Sequence, residues 1–512
     1  MQPLPQDRIA PPAIEQNRDQ FAGAETNPVR SVATEPVSTF SIDVDTASYS
    51  FVRRSLNAGR FPPRDAVRVE EMVNYFPYDY ARPDSADAPF RASVQVFPSP
   101  WNANNQLVHI GLKGYDLKSA ERPRANLVFL VDISGSMAPG DRLPLLKNAF
   151  RMLLDNLRPE DTVAIVTYAA GSDVRLQPTK VADKSRIISA IASLNANGST
   201  HGAAGISDAY KVAEANFDKA AVNRVILATD GDWNVGITNR DELKGFVERK
   251  RETGIYLSIL GVGMDNHNDA LMQALAQNGN GAAAYIDTLG EARKVLVDEA
   301  SSTLFPIAKD VKIQLEFNPA RVSEYRLIGY ETRMLKREDF NNDKVDAGDV
   351  GSGHSVTAIY EITPVGAPLV ADALRYQPQP AAQAPARGGR LPEAEPTRAK
   401  QEEIGFLKLR YKLPKEEASR LTEFVVGPEQ TKRTLGEAST EARFSTAVAA
   451  FGQMLRGAPY VRCMSYDAVI ELANASRGDD PFGYRAEFVN LVRLAKATSG
   501  AGANRPAASP CL

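Results

Sequence analysis

The sequence predicts an α/β fold built on a doubly wound, mostly parallel sheet, and three observations carry that prediction. Five short apolar runs lie between residues 124 and 290: LVFLV (127–131), VAIVTY (163–168), VILAT (225–229), YLSIL (256–260) and AAYI (283–286). Each has the length and β-branched content of a buried strand. Helical patterns alternate with them. Leu146, Phe150, Leu153 and Leu157 recur after the first run, and Ile206, Ala209, Tyr210, Ala213 and Phe217 before the third. Strands apolar on both faces, alternating with amphipathic helices, imply a parallel sheet with helices on both sides.

The rest of the chain follows in order. Residues 1–36 are polar and proline-rich and are expected to be disordered. They contain no apolar stretch after a basic start, so no signal peptide is read there. Residues 37–123 form an N-terminal extension domain, with a helix at 64–76 and strand-like runs at 91–97 and 107–113. The α/β domain occupies 124–303. Residues 304–365 are the first part of a β-rich domain, because VKIQLEF (311–317) and SVTAIYEI (355–362) alternate with period two. Residues 366–402 are a Pro/Ala-rich linker. Residues 403–497 continue with strands FLKLRYKL (406–413) and LTEFVV (421–426), then turn helical. These strands and the run at 91–97 are expected to form one β-sandwich-like unit. The stripes Phe444, Ala447, Val448, Phe451, Leu455 and Tyr484, Phe488, Leu491, Ala495 read as core faces of helices. A frayed tail, 498–512, ends the chain.

Composition narrows the function. The chain has 512 residues, with 60 Lys and Arg against 63 Asp and Glu, a net charge of −3. That balance excludes nucleic acid as the main partner. No apolar run is long enough for a transmembrane segment. Two cysteines rule out a disulfide framework, and Cys463 reads as a core thiol. The four histidines are scattered, which excludes a histidine-rich metal site.

Ligands bind at the carboxyl ends of strands in such sheets. The first run ends in Asp132, followed by Ile133, Ser134, Gly135 and Ser136. The third ends in Asp230, and a glycine-flanked loop between them carries Thr200. All five candidate groups, Asp132, Ser134, Ser136, Thr200 and Asp230, are oxygen donors. Hydroxyls with two carboxylates suit a hard divalent cation, Mg²⁺ first and Mn²⁺ or Ca²⁺ next. With two charged ligands, a loaded site is roughly neutral and can accept a carboxylate from outside. The spacing D-x-S-x-S alone arises by chance in roughly one chain of this size in ten. Its position directly after a strand, with Thr200 and Asp230 at matching places, gives it weight. The competing interpretation is a serine-capped helix start with aspartates in turns.

At these residues the sequence resembles the von Willebrand factor type A domain and its metal-ion-dependent adhesion site, through VFLVDISGSM (128–137), GST (198–200) and ILATDGDWNVG (226–236). The resemblance implies a Rossmann-like fold, with Ser134, Ser136 and Thr200 as direct metal ligands and Asp132 and Asp230 acting through water. FSIDVDTASYSFVRRSLNAGRFPPRDAVRVEEMVNYFPYDY (40–80) is similar to the N-terminal extension of a bacterial subfamily. GYETRMLKREDF and DAGDVGSGHSVTAIYEI (within 329–362) and DDPFGYRAEFVNLVRLA (479–495) are similar to its C-terminal region of unknown function. The resemblance implies an adhesion-type protein-binding module, not an enzyme, whose partner supplies Asp or Glu to the metal. It also favours the periplasm or cell envelope as the location.

Two other functions compete. One is a structural scaffold or assembly protein of the envelope, its metal only bracing loops. The other is a metal-dependent hydrolase, which needs a base or nucleophile beside the metal, and no Ser/His/Asp set or H-E-x-x-H is present. Several motifs are read as structural. Asp43-Val44-Asp45-Thr46 has its threonine one position too early for an aspartyl phosphatase and is read as a turn. The acidic stretch 339–350 has Lys344 and Val350 where a calcium loop needs Gly and Glu. GVGMD (261–265) lacks the dinucleotide fingerprint. His201 is read as a rim residue. Trp233 and Asn234 either contact a partner or pack the loop.

Overall fold

The computed structural model describes residues 21, 23–118, 120–169, 171–197, 205–231, 239–263, 268–370, 401–461 and 463–501. The chain opens with β1 (Arg30–Ser31), β2 (Val37–Ser41), helix α1 (Ala47–Asn57), helix α2 (Val69–Asn74), β3 (Phe90–Pro98) and β4 (Gln106–Gly114). The central domain follows as β5 (Ala125–Asp132), α3 (Leu143–Asn156), β6 (Thr162–Tyr168), β7 (Ser172–Lys180), α4 (Lys184–Ser193), α5 (Gly205–Ala215), β8 (Val222–Thr229), α6 (Arg240–Glu252), β9 (Ile255–Val262), α7 (Asp269–Asn278) and β10 (Ala283–Ile286). Short helical turns over residues 289–304 lead to β11 (Pro306–Phe317), β12 (Val322–Ile328), β13 (Gly348–Gly351), β14 (Ser355–Pro364), β15 (Gly405–Lys412) and β16 (Arg420–Val426). Three helices, Thr440–Arg456, Tyr466–Ala475 and Tyr484–Ala501, end the described chain.

The central sheet has the order β10-β9-β8-β5-β6-β7. Its first five strands are parallel and β7 runs antiparallel to β6. One face packs against α3 and α4 through Leu146, Phe150, Leu153 and Ile187. The other packs against α5, α6 and α7 through Tyr210, Val247 and Leu275. The fold is therefore the doubly wound one that the five apolar runs predict. The edge strand β7 escapes the apolar pattern because only Leu176 and Thr179 along it are buried. Helix starts are capped where the sequence offers Asn: Asn239 accepts from the amides of Asp241 and Glu242, and Asn268 from that of Leu271.

The β-rich part is a sandwich of two sheets. One has the order β1-β12-β14-β4-β3; the other is β13-β11-β15-β16, with β2 also paired to β11. Their facing residues, among them Phe40, Ile110, Ile313, Tyr360 and Leu407, make one core. β3 covers the run at 91–97, so residues from the N-terminal extension supply strands to both sheets. Helices α1 and α2 pack with the three C-terminal helices in a further core, joined by Phe97, Leu107, Ile328 and Ile359 of the first sheet.

Three expectations are corrected. Within the stretch expected to be disordered, β1 pairs with β12, and Asn27 Nδ2 donates to the carbonyls of Gly329 (2.7 Å) and Leu327 (3.2 Å). Backbone pairing, the Asn27 side-chain amide and the single buried Val32, 2% exposed within the sandwich core, anchor this otherwise polar segment. The helix expected at 64–76 is a single turn at Arg64–Ala66 followed by α2, and α1 was not anticipated. Cys463 is exposed and disulfide-bonded, not a core thiol. Residues 371–400 of the linker and 502–512 of the tail lie outside the described residues.

Candidate metal centre

β5 and β8 are neighbours in the sheet, yet their following helices, α3 and α6, lie on opposite faces. That divergence makes a crevice at the carboxyl ends of these two strands. Asp132 is the last residue of β5, and Asp230 directly follows β8. Both are buried, at 0% and 2% exposure.

The segment after β5 folds back at once. The Ser134 amide donates to Asp132 Oδ1 (2.8 Å), and Gly135–Met137 form a single 3-10 turn. This turn brings the hydroxyls of Ser134 and Ser136 within 2.9 Å of each other. From β8, Thr229 Oγ1 donates to Asp132 Oδ2 (3.4 Å) and accepts from the Gly231 amide (3.2 Å). Burial pushes the Asp132 carboxyl up to about 6; the Ser134 hydrogen bonds pull it down and the Asp230 charge raises it. Two adjacent carboxylates in a dry crevice call for positive charge.

Part of that charge comes from Arg142, which the sequence reading missed. Arg142 Nη1 donates to Asp230 Oδ2 (2.6 Å) and to the Ser136 carbonyl (2.7 Å). The signal available was chemical: a buried Asp230 needs a cation or several donors, and Arg142 and Lys147 are the first basic residues after the serine turn.

The structure thus brings together Asp132, Ser134, Ser136 and Asp230. Thr200 lies outside the described residues, as do His201, Trp233 and Asn234. Among the described residues, no group of three or more His, Cys, Asp or Glu is placed to hold a metal. A cation at this crevice would depend on the hydroxyls. The converging serines with two buried carboxylates fit a hard, oxygen-seeking ion.

Of the motifs read as structural, Asp43-Val44-Asp45-Thr46 has a clear structural place, while Met264 and Asp265 of GVGMD lie outside the described residues. Asp43 and Asp45 are buried and pair with Arg333 at 2.9 and 3.1 Å, and Asp45 also accepts from the Ala283 amide (2.8 Å). Both thus fasten the N-terminal extension to Arg333 of the β-rich part, and Asp45 also fastens it to β10 of the central sheet.

Comparison with known proteins agrees with this architecture. Residues 127–232 match the von Willebrand factor type A domain, residues 15–109 a family described as von Willebrand factor, and residues 302–498 the C-terminal region of the uncharacterized protein YfbK. Over 477 residues the chain is 46% identical to YfbK of Escherichia coli, covering 92% of this chain and 80% of that one. The chain belongs to the YfbK family. Its central domain is a von Willebrand factor type A domain. It is also similar to human inter-alpha-trypsin inhibitor heavy chain H4, at 28% identity over 38% of this chain and 21% of that protein. Among solved structures, a von Willebrand factor type A protein from Catenulispora acidiphila aligns with a TM-score of 0.43 at 15% identity, covering 82% of this chain and 91% of that one. No described helix is long and apolar enough to cross a membrane.

Proposed function

We propose that this YfbK-family chain is a non-catalytic protein-binding module of the bacterial cell envelope whose contact runs through a divalent cation, Mg²⁺ before Mn²⁺ or Ca²⁺. Asp132, Ser134, Ser136, Thr200 and Asp230 hold the ion, and a partner's Asp or Glu completes its shell. The observation that carries this reading is the convergence of the Ser134 and Ser136 hydroxyls, 2.9 Å apart, beside two buried carboxylates at the switch point of the sheet. Two negative ligands balance a divalent ion, so an incoming carboxylate gains a charge partner that water cannot match. The ion supplies that electrostatic anchor. The chain's own part is to aim the oxygens, through the Ser134 amide on Asp132 and the hydroxyl of Thr229 behind it.

A scaffold role is the second reading. It is favoured by Arg142, which already ties the Ser136 carbonyl to Asp230. A pull-down from envelope and soluble fractions decides between the two. Wild type and Asp132→Ala are compared in Mg²⁺ and in EDTA, with the fold of the variant checked by circular dichroism. A protein held only by wild type in Mg²⁺ supports the adhesion reading. Equal retention by both folded proteins in both buffers moves the function to the scaffold and its flanking units.

A further inference from the structure

We infer that Arg142 is a built-in counter-cation of the metal centre, holding Asp230 until a divalent ion displaces it, and that helix α1 steadies it in that position. The inference rests on the metal reading above. One guanidinium nitrogen, Nη1, bonds the Ser136 carbonyl (2.7 Å) and Asp230 Oδ2 (2.6 Å), so it joins the two loops that must also converge on an ion. The Asp230 side chain is 1% exposed and that of Arg142 16%. In so poorly solvated a place, a divalent ion and a guanidinium on the same carboxylate repel each other strongly. The arginine therefore satisfies the crevice when metal is absent and must yield when it arrives.

The arginine has a fitted bed. Gly263, just past the end of β9, has φ +80°, and a Cβ built there would lie 2.3 Å from Arg142 Nε. Only glycine admits both that backbone conformation and that side chain. The Gly263 carbonyl accepts from the Tyr285 hydroxyl and from Arg54 Nη1 (3.3 Å), and Arg54 Nη1 also donates to the Tyr285 hydroxyl (2.6 Å). Arg54 belongs to α1. A helix of the N-terminal extension thus reaches the metal centre through Gly263 and Arg142. This links a segment outside the central domain to the readiness of the site for an ion.

Two measurements on the full chain test this. Isothermal titration with Mg²⁺ compares wild type, Ser134→Ala, Arg142→Ala and Arg54→Ala. Removing a competitor that occupies the site most of the time tightens binding by about tenfold in Arg142→Ala. A smaller gain is expected in Arg54→Ala, and loss of binding in Ser134→Ala. If Arg142→Ala binds Mg²⁺ no more tightly while Ser134→Ala loses it, the counter-cation idea is overturned and the metal reading stands. No Mg²⁺ binding by wild type overturns both. An Arg54→Ala affinity equal to wild type removes α1 from the device. The second measurement needs no variant: phenylglyoxal labelling of Arg142, followed by peptide mass spectrometry. Labelling several-fold faster in saturating Mg²⁺ is expected. Equal rates with and without Mg²⁺ would show that the ion leaves Arg142 in place and overturn the inference.

Discussion

Arg53 on helix α1 lies 2.9 Å from Glu291, beyond the end of β10, and both side chains are almost wholly buried. The same guanidinium pairs with Asp287 and donates to the Tyr75 hydroxyl (2.9 Å), which in turn donates to Glu291 (2.7 Å). The N-terminal extension is thereby locked to the central domain by charge as well as by apolar contact. Arg53→Met leaves two buried carboxylates without their cation. A loss of about 3–5 kcal/mol is expected, read as an early transition in urea with loss of contact between α1 and the sheet. A variant that unfolds like wild type would mean that the pair holds nothing.

A buried histidine sets an acid limit. His109 on β4 is 1% exposed, with Nε2 3.0 Å from the Ser445 hydroxyl and 3.3 Å from that of Tyr80. Burial holds its ring neutral down to about 3. An unfolded chain protonates this ring below about 6.5. The native state binds no proton there, so this stability is present above 6.5 and is lost as pH falls from 6.5 towards 3. Between pH 7 and pH 5 the loss from this one group is about 2 kcal/mol. His109→Gln is expected to remove that share of the pH dependence. Parallel stability–pH curves for the two proteins would refute it.

Metal should stabilise the fold. An ion that binds only the native state adds about 2.7 kcal/mol at a hundred times its dissociation constant. Mg²⁺ is therefore expected to raise the melting temperature, EDTA to reverse the rise, and Ser136→Ala to flatten the response. A wild-type melting curve indifferent to Mg²⁺ counts against the metal reading.

Close backbone packing at the sheet's edge gives a steric test. A Cβ on Gly281 would fall 1.8 Å from the carbonyl oxygen of Leu257. Leu257 is on β9, and β10 begins two residues after Gly281. Gly281→Ala must push β10 away from β9, a strain of about 1–3 kcal/mol or more. Faster hydrogen exchange along β10 is the expected signature. Exchange unchanged along β10 would show that the edge absorbs the methyl.

The central domain was legible because burial on both faces leaves an unbroken apolar run for each parallel strand. β5, β6, β8, β9 and β10 all enclose such a run. β7 was not legible, since it pairs at an edge with residues such as Asp173 and Arg175 exposed or half-exposed. Helix α1 was missed because its buried face includes Ser48, Ser50 and Arg53, polar residues that only their tertiary partners explain. At the candidate metal centre, Asp132, Ser134, Ser136 and Asp230 follow from motif and strand position. Arg142 and Gly263 do not. Their roles depend on loops that meet only once the sheet is ordered, and no spacing along the chain encodes that meeting.

The sandwich has one more consequence, for the order of synthesis. Its strands come from both sides of the central domain: Thr39 on β2 accepts a hydrogen bond from Gln314 on β11, 275 residues later. A ribosome releases β2 long before its partner exists, since the whole α/β domain, β5 to β10, is made between them. The nascent chain must carry an unpaired strand through that interval, and contacts of such high order form slowly. A chaperone that shields β2 until β11 emerges would suit this chain better than one that acts on the finished protein.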